Sequence, residues 1–217
     1  MTMISQRYVK CTICGGFARQ LVLTSTNCFG GTSDLDFRPP QMMRNTMDLW
    51  VQQCPHCAYT SDNLDDPTGV SREFIESQAY QGCEGNTFAS ELATQFYRCY
   101  MIKKADGKTM EAFYAALHGA WACDDAGDVE MAVLCRQKAL ELFDLLDSPN
   151  RREDDYLVKM DLLRRTGQFE AVEALYAERS FSGEENQKIA AFQVELARRK
   201  DTKCYRIGKA LGMNEWD

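Results

Sequence analysis

Cys11-Thr12-Ile13-Cys14-Gly15 and Cys54-Pro55-His56-Cys57-Ala58 decide how this chain is read. A Cys-x-x-Cys loop can curl until both sulfurs face one point, with backbone N–H groups turned toward the sulfurs to spread their charge. A small residue after the second Cys suits the tight turn that follows. Two such loops supply four thiolates in a tetrahedron, the donor set and geometry that zinc prefers, so Cys11, Cys14, Cys54 and Cys57 are expected to hold one zinc ion. Closed four-thiolate coordination leaves no open position for water or substrate, and the ion's expected role is structural. The 39 residues between Cys14 and Cys54 exceed the ~15–20 of many four-cysteine sites. They read as an insertion between the knuckles of a zinc ribbon.

The remaining cysteines and histidines are weaker candidates. Two Cys-x-x-Cys pairs without a βαβ pattern argue against a thioredoxin-type redox site. Cys28 stands alone in Thr26-Asn27-Cys28-Phe29-Gly30, and His56 lies inside a knuckle, where its side chain is expected to point outward. Cys83, Cys99, Cys123, Cys135 and Cys204 have no partner spacing and read as small buried hydrophobes. His118, on a helix beside Leu117 and Trp121, reads as a packed or surface residue, with no nucleophile motif near it.

Residues 1–66 and 67–217 differ in composition. The first segment has no Glu, carries five Lys/Arg against six Asp, and contains Gly15-Gly16, Gly30-Gly31, Pro39-Pro40 and the β-leaning run Gln20–Thr24. The second carries 20 Lys/Arg against 26 Asp/Glu and is rich in helix formers. Ser61-Asp62-Asn63-Leu64-Asp65-Asp66-Pro67-Thr68-Gly69 between them is turn chemistry. The expected fold class is α+β, a small β-rich zinc ribbon over 1–66 followed by an all-α domain of helical hairpins over 67–217. Such a short segment with few aliphatics is marginal unless metal binding is coupled to its folding.

Apolar spacing of three and four predicts seven or eight helices, with Phe113, Leu117, Ala120 and Trp121 on one face. Val129, Ala132, Val133, Ala139, Leu140 and Phe143 fall on another, and Tyr156, Met160, Leu163, Phe169, Val172, Leu175 and Tyr176 continue the pattern. Asp128 and Ser148-Pro149 punctuate it. Gly127-Asp128-Val129-Glu130-Met131-Ala132 is echoed by Gly167-Gln168-Phe169-Glu170-Ala171-Val172. In each, a Gly ends a helix, an apolar residue two places on packs into the turn, and a smaller residue five places on lets helices approach. The offset of 40 exceeds the ~34 of a tetratricopeptide repeat, with the extra residues near Asp147–Asp155. Tetratricopeptide-like hairpins are therefore expected, not a regular array.

These motifs resemble the bacterial family known as domain of unknown function 2225. The resemblance rests on Cys11-x-x-Cys14-Gly15, on Ser33-Asp34-Leu35-Asp36-Phe37-Arg38-Pro39-Pro40, on Trp50-Val51-Gln52-Gln53-Cys54-Pro55-His56-Cys57-Ala58-Tyr59, and on a helical tail with Gly119-Ala120-Trp121 and Gly127-Asp128. It implies a zinc-ribbon head and a tetratricopeptide-like body, and no activity.

Alternation would put Asp34, Asp36 and Arg38 on one face of an extended strand. They form either a polar contact site or a structural device in which Asp36 pairs with Arg38 or Arg44. Net charge −7 disfavours general phosphate-backbone binding. The apolar runs are too short for a signal peptide or membrane span, which predicts a cytoplasmic protein with reduced thiols. The expected role is a non-enzymatic scaffold whose helical groove binds another protein or a peptide. A nucleic-acid-associated regulator using the ribbon is the alternative.

Overall fold

Backbone packing divides the chain into two compact units, residues 1–27 with 45–146, and residues 28–44 with 147–217. The computed structural model describes residues 2–146 and 151–213. Its architecture is α+β, with two small antiparallel sheets near the N-terminus and a helical remainder. The compositional change at residue 66 falls inside the first unit.

That unit begins with two hairpins. β1 (Met3–Lys10) pairs with β2 (Phe17–Ser25), and β3 (Gln52–Gln53) pairs with β4 (Thr60–Ser61). The turn of each hairpin is one of the cysteine loops. Val9 and Ala18, opposite each other across the ladder, are the buried residues of the longer hairpin. The turn-rich segment after β4 is packed, not loose. Leu64 is fully buried, its carbonyl accepts from the Thr12 N–H at 2.9 Å and its N–H donates to Gln52 Oε1 at 3.2 Å.

Short helices α2 (Arg72–Glu76) and α3 (Gln78–Gln81) follow, started by the side chains of Ser71 and Ser77. Three long antiparallel helices then stack, α4 (Glu91–Ala105), α5 (Thr109–Asp125) and α6 (Val129–Leu145). Ser90 caps α4, and Asp128 caps α6 by accepting from the Met131 N–H. Close approach of α5 and α6 depends on small residues. Ala120, Ala132 and Ala139 are buried, and a Cβ on Gly119 would meet Cys135 Sγ at 3.2 Å.

The second unit combines α7 (Glu153–Arg165), α8 (Phe169–Glu178), α9 (Glu184–Arg198) and α10 (Ile207–Ala210) with residues 28–44 from between the cysteine loops, a segment that includes the one-turn helix α1 (Gln41–Arg44). That segment is laced to residues 205–208. The Leu35 N–H donates to the Tyr205 carbonyl at 2.9 Å, the Ile207 N–H to Ser33 at 2.8 Å, and the Gly208 N–H to Thr32 Oγ1 at 2.9 Å.

Among the described residues, the part beyond residue 66 holds nine α-helices, not seven or eight. The excess is the short pieces α2, α3 and α10, below the length at which periodicity registers. The expected glycine stops at Gly127 and Gly167 are present, and Gly107 is a third. Each lies in the left-handed region, and the next residue's N–H reaches back to the helix end, from Lys108 to Lys103, Asp128 to Cys123 and Gln168 to Leu163. Five places on, Ala112, Ala132 and Val172 are buried as the motif requires. Val129 departs from expectation. It is 74% exposed, because it opens α6 on the side away from the buried stripe of Ala132, Cys135, Arg136, Ala139 and Phe143. Ser148-Pro149 lies outside the described residues. No helix among the described residues is long and apolar enough to cross a membrane.

Candidate metal centre

The two cysteine loops are built alike, hydrogen bond for hydrogen bond. The Cys11 N–H donates to the Gly16 carbonyl and the Gly15 N–H to the Cys11 carbonyl, both at 2.9 Å. In the second loop the Cys54 N–H donates to Tyr59 at 2.8 Å and the Ala58 N–H to Cys54 at 2.9 Å. The residue after the second Cys adopts φ 71° in Gly15 and φ 61° in Ala58. A side chain in that conformation costs about 1 kcal/mol, partly offset by glycine's greater freedom in the unfolded chain. Gly15→Ala is therefore expected to lower stability by about 1 kcal/mol, while Ala58→Gly leaves it unchanged or raises it by up to about 0.5 kcal/mol. Urea unfolding midpoints of the two variants check this opposition of sign.

Together the loops place all four sulfurs within 4.8 Å of one another. Cys11 and Cys57 lie 3.8 Å apart, and Cys14 and Cys54 3.7 Å. A tetrahedron with metal–sulfur bonds of about 2.3 Å has edges of about 3.8 Å. Disulfides are excluded at these separations, and all four are free thiols. The arrangement is compatible with a metal site. Backbone N–H groups of Cys14 and Ile13 serve Cys11 Sγ, that of Gly16 serves Cys14, and that of Tyr59 serves Cys57.

Proton affinities at the cluster are divided. Burial pushes the Cys11 and Cys57 thiols above the ordinary range despite those N–H groups. At Cys14, burial is outweighed by the Gly16 N–H and the neighbouring thiols, which bring it down to about 7. Four adjacent thiolates repel one another, and a divalent cation is what lets all four lose their protons together.

His56 and Cys28 stand outside this cluster. The His56 ring packs over Gly16, where a Cβ would meet Cδ2 at 2.6 Å, and its Nε2 lies 3.1 Å from the Phe17 carbonyl. Cys28 is exposed and contacts Met43 Sδ at 3.7 Å. Cys83, Cys99, Cys123 and Cys135 are buried as expected, whereas Cys204 is exposed. Its thiol is nonetheless surrounded closely enough that burial pushes it up to about 12.

Asp34, Asp36 and Arg38 are all buried, at 2%, 2% and 4% exposure. They do not line one face of an extended strand. The segment doubles back in a tight turn. The Phe37 N–H donates to Asp34 at 2.9 Å with Phe37 at φ 60°, and the Asp34 N–H to Arg38 at 3.0 Å. Arg44 pairs with Asp34, at 2.7 Å. Asp36 accepts the Arg38 backbone N–H at 3.3 Å, and its other oxygen lies 3.9 Å from Arg165. A partner supplied by α7 could not be anticipated from local spacing.

Another constellation escapes the sequence reading in part. On α5, Tyr114, His118 and Trp121 fall at intervals of four and three, a spacing legible in the sequence. Around His118 the ring centroids of Trp121, Trp50, Phe96 and Tyr114 lie at 4.9, 5.1, 5.3 and 6.2 Å. Burial pushes the imidazole down to about 4, against the opposing charge of Asp62. The unfolded chain takes up this proton near pH 6.5 and the folded chain only near 4, so the group's contribution is complete above about 6.5 and is lost as pH falls toward 4. Between pH 7 and 4.5 the wild type is expected to lose about 2 kcal/mol more than His118→Phe, read from urea unfolding at both pH values. Equal losses would contradict this.

No family model, curated protein or solved structure matches this chain.

Proposed function

We propose that the chain is a zinc-stapled binding protein. One zinc ion on Cys11, Cys14, Cys54 and Cys57 secures the two hairpins, and the helical portion recognises a segment of another protein or a peptide. The observation that carries the first half is the pair of sulfur–sulfur edges, 3.8 and 3.7 Å, which match those of a tetrahedral zinc–thiolate site. A closed set of four thiolates offers substrate no coordination position, which supports a non-enzymatic role. Reduced thiols of this kind favour a cytoplasmic location. The stacked helices α4 to α6 and the chain's negative charge support a basic or mixed-charge segment as the partner. The proposal includes kinship with domain of unknown function 2225, whose head and body it would share.

Cobalt substitution tests the metal half. Co(II) bound by the refolded chain is expected to show intense visible bands of a tetrahedral thiolate site at one equivalent. Weak bands of octahedral oxygen ligation would sink the reading.

One observation favours a second reading, contact with single-stranded nucleic acid. Tyr8, Phe17, Ile4 and Leu21 are exposed on one face of the β1–β2 hairpin, with Lys10 opposite Phe17 and Arg19 opposite Tyr8. No acidic residue precedes Asp34. Exposed aromatics interleaved with cations form a stacking platform. Binding of a labelled oligonucleotide that weakens with salt and with Tyr8→Ala would support it, and no binding at low salt would dismiss it.

A further inference from the structure

Trp50, Phe96, Tyr114 and His118 wall a cleft of about 240 Å³ in the first unit, with Asp62 and Glu111 also at its lining. We propose that this cleft binds a small quaternary ammonium group. The cleft shares no residue with the four-cysteine cluster or with the exposed hairpin face.

The walls suit such a ligand. Aromatic faces carry negative charge in their quadrupoles and attract cations that lack a tightly held water shell. Burial keeps the His118 imidazole uncharged at neutral pH, so it joins the wall without repelling a cation. None of the lining side chains is Lys or Arg.

Charge at the lining points the same way. The Asp62 and Glu111 side chains are 52% and 51% exposed, and both pair with one buried ammonium, Lys103 Nζ, at 2.8 and 3.1 Å. Two carboxylates against one lysine leave one negative charge beside the rings. The carboxylates also discriminate among cations. A primary ammonium or a metal ion needs several oxygen acceptors aimed at it, and here both carboxylates already serve Lys103. A methylated ammonium donates no hydrogen bonds and presents an apolar shell, which the rings accommodate. The volume lies below the ~300–1,000 Å³ of sites for drug-sized ligands, which fits a head group with a short stem.

The test uses the full-length metal-loaded chain, titrated by calorimetry and tryptophan fluorescence with choline and with its uncharged isostere 3,3-dimethylbutan-1-ol. Choline is expected to bind saturably at millimolar concentration or tighter, and the isostere at least about tenfold more weakly. Tyr114 is 46% exposed, so Tyr114→Ala should fold normally. It is expected to weaken choline about five- to tenfold with an unchanged thermal midpoint, and Glu111→Gln about threefold. Equal affinity for the isostere would overturn the proposal in favour of a merely apolar pocket. So would methylammonium binding as tightly as choline, undiminished binding to Tyr114→Ala, or no saturable binding up to about 50 mM.

Discussion

Replacing Cys11 and Cys54 together by Ser is expected to unfold the β1–β2 hairpin at 25 °C and to loosen the β3–β4 hairpin. The longer hairpin has little else to hold it, whereas in the shorter one Tyr59, Thr60 and Ser61 are buried and the Ala58 carbonyl accepts from Tyr80 Oη at 2.8 Å. The β1–β2 hairpin buries Val9 and Ala18, and the β3–β4 hairpin pairs two residues a side. Two-stranded sheets of this kind are marginal in water. Zinc on four thiolates contributes about 10–16 kcal/mol to folding, comparable to the entire stability of an ordinary domain. Amide hydrogen exchange would report the loss at Val9, Ala18 and Tyr59. The exposed Cys28, changed to Ser, is the matched control and should leave protection unaltered. Chelation of the wild-type protein should reproduce the double variant. Acidification should do so too, because the thiolates must take up protons as the metal leaves.

The second large effect belongs to the other unit. Arg164 is fully buried, pairs with Asp161 at 2.5 Å and donates to the Asp201 carbonyl at 2.6 Å. Asp161 is itself only 2% exposed. Asp161→Ala removes the charge partner and strands the guanidinium in a dry environment, which costs about 3–5 kcal/mol. Urea unfolding should show that loss. Hydrogen exchange should show it concentrated in residues 200–208, where Tyr205 Oη also donates to Asp201 at 2.7 Å. The comparison is Glu195→Ala, which breaks a pair with Arg199 at 3.4 Å whose members are 61% and 57% exposed. Solvent screens that pair, and its loss is expected to stay within about 0.5 kcal/mol.

The four-cysteine cluster was legible because its chemistry is local. Each knuckle is five residues long, so the spacing, the small residue behind the second Cys and the backbone bonds to sulfur are all written contiguously. The long helices were legible for a related reason, since three- and four-residue apolar spacing and glycine stops are properties of single segments. What escaped was long-range. Asp34 and Asp36 could be read as a contact site or as a structural device but not assigned their surroundings, because nothing near them in sequence announces Arg165, or the backbone of residues 205–207, as neighbours. The turn at Phe37 was hidden too, because a Phe at positive φ is rare enough that no propensity predicts it. The segment between the knuckles read as an inserted part of the head, yet residues 28–44 of it pack with the C-terminal helices. His118 shows the intermediate case. Tyr114 and Trp121 share its helix face and could be read, while Trp50 and Phe96 reach it only through the fold.

The proposed zinc site, and the hairpins' dependence on it, can be tested on one sample. Elemental analysis of the protein purified without added metal, combined with X-ray absorption at the zinc edge, measures stoichiometry and ligands together. The expected result is one zinc per chain with four sulfur neighbours at about 2.3 Å, and none bound to the Cys11→Ser, Cys54→Ser double variant. A ratio near zero, a first shell containing nitrogen or oxygen, or a ratio unchanged in the double variant would contradict the four-thiolate site.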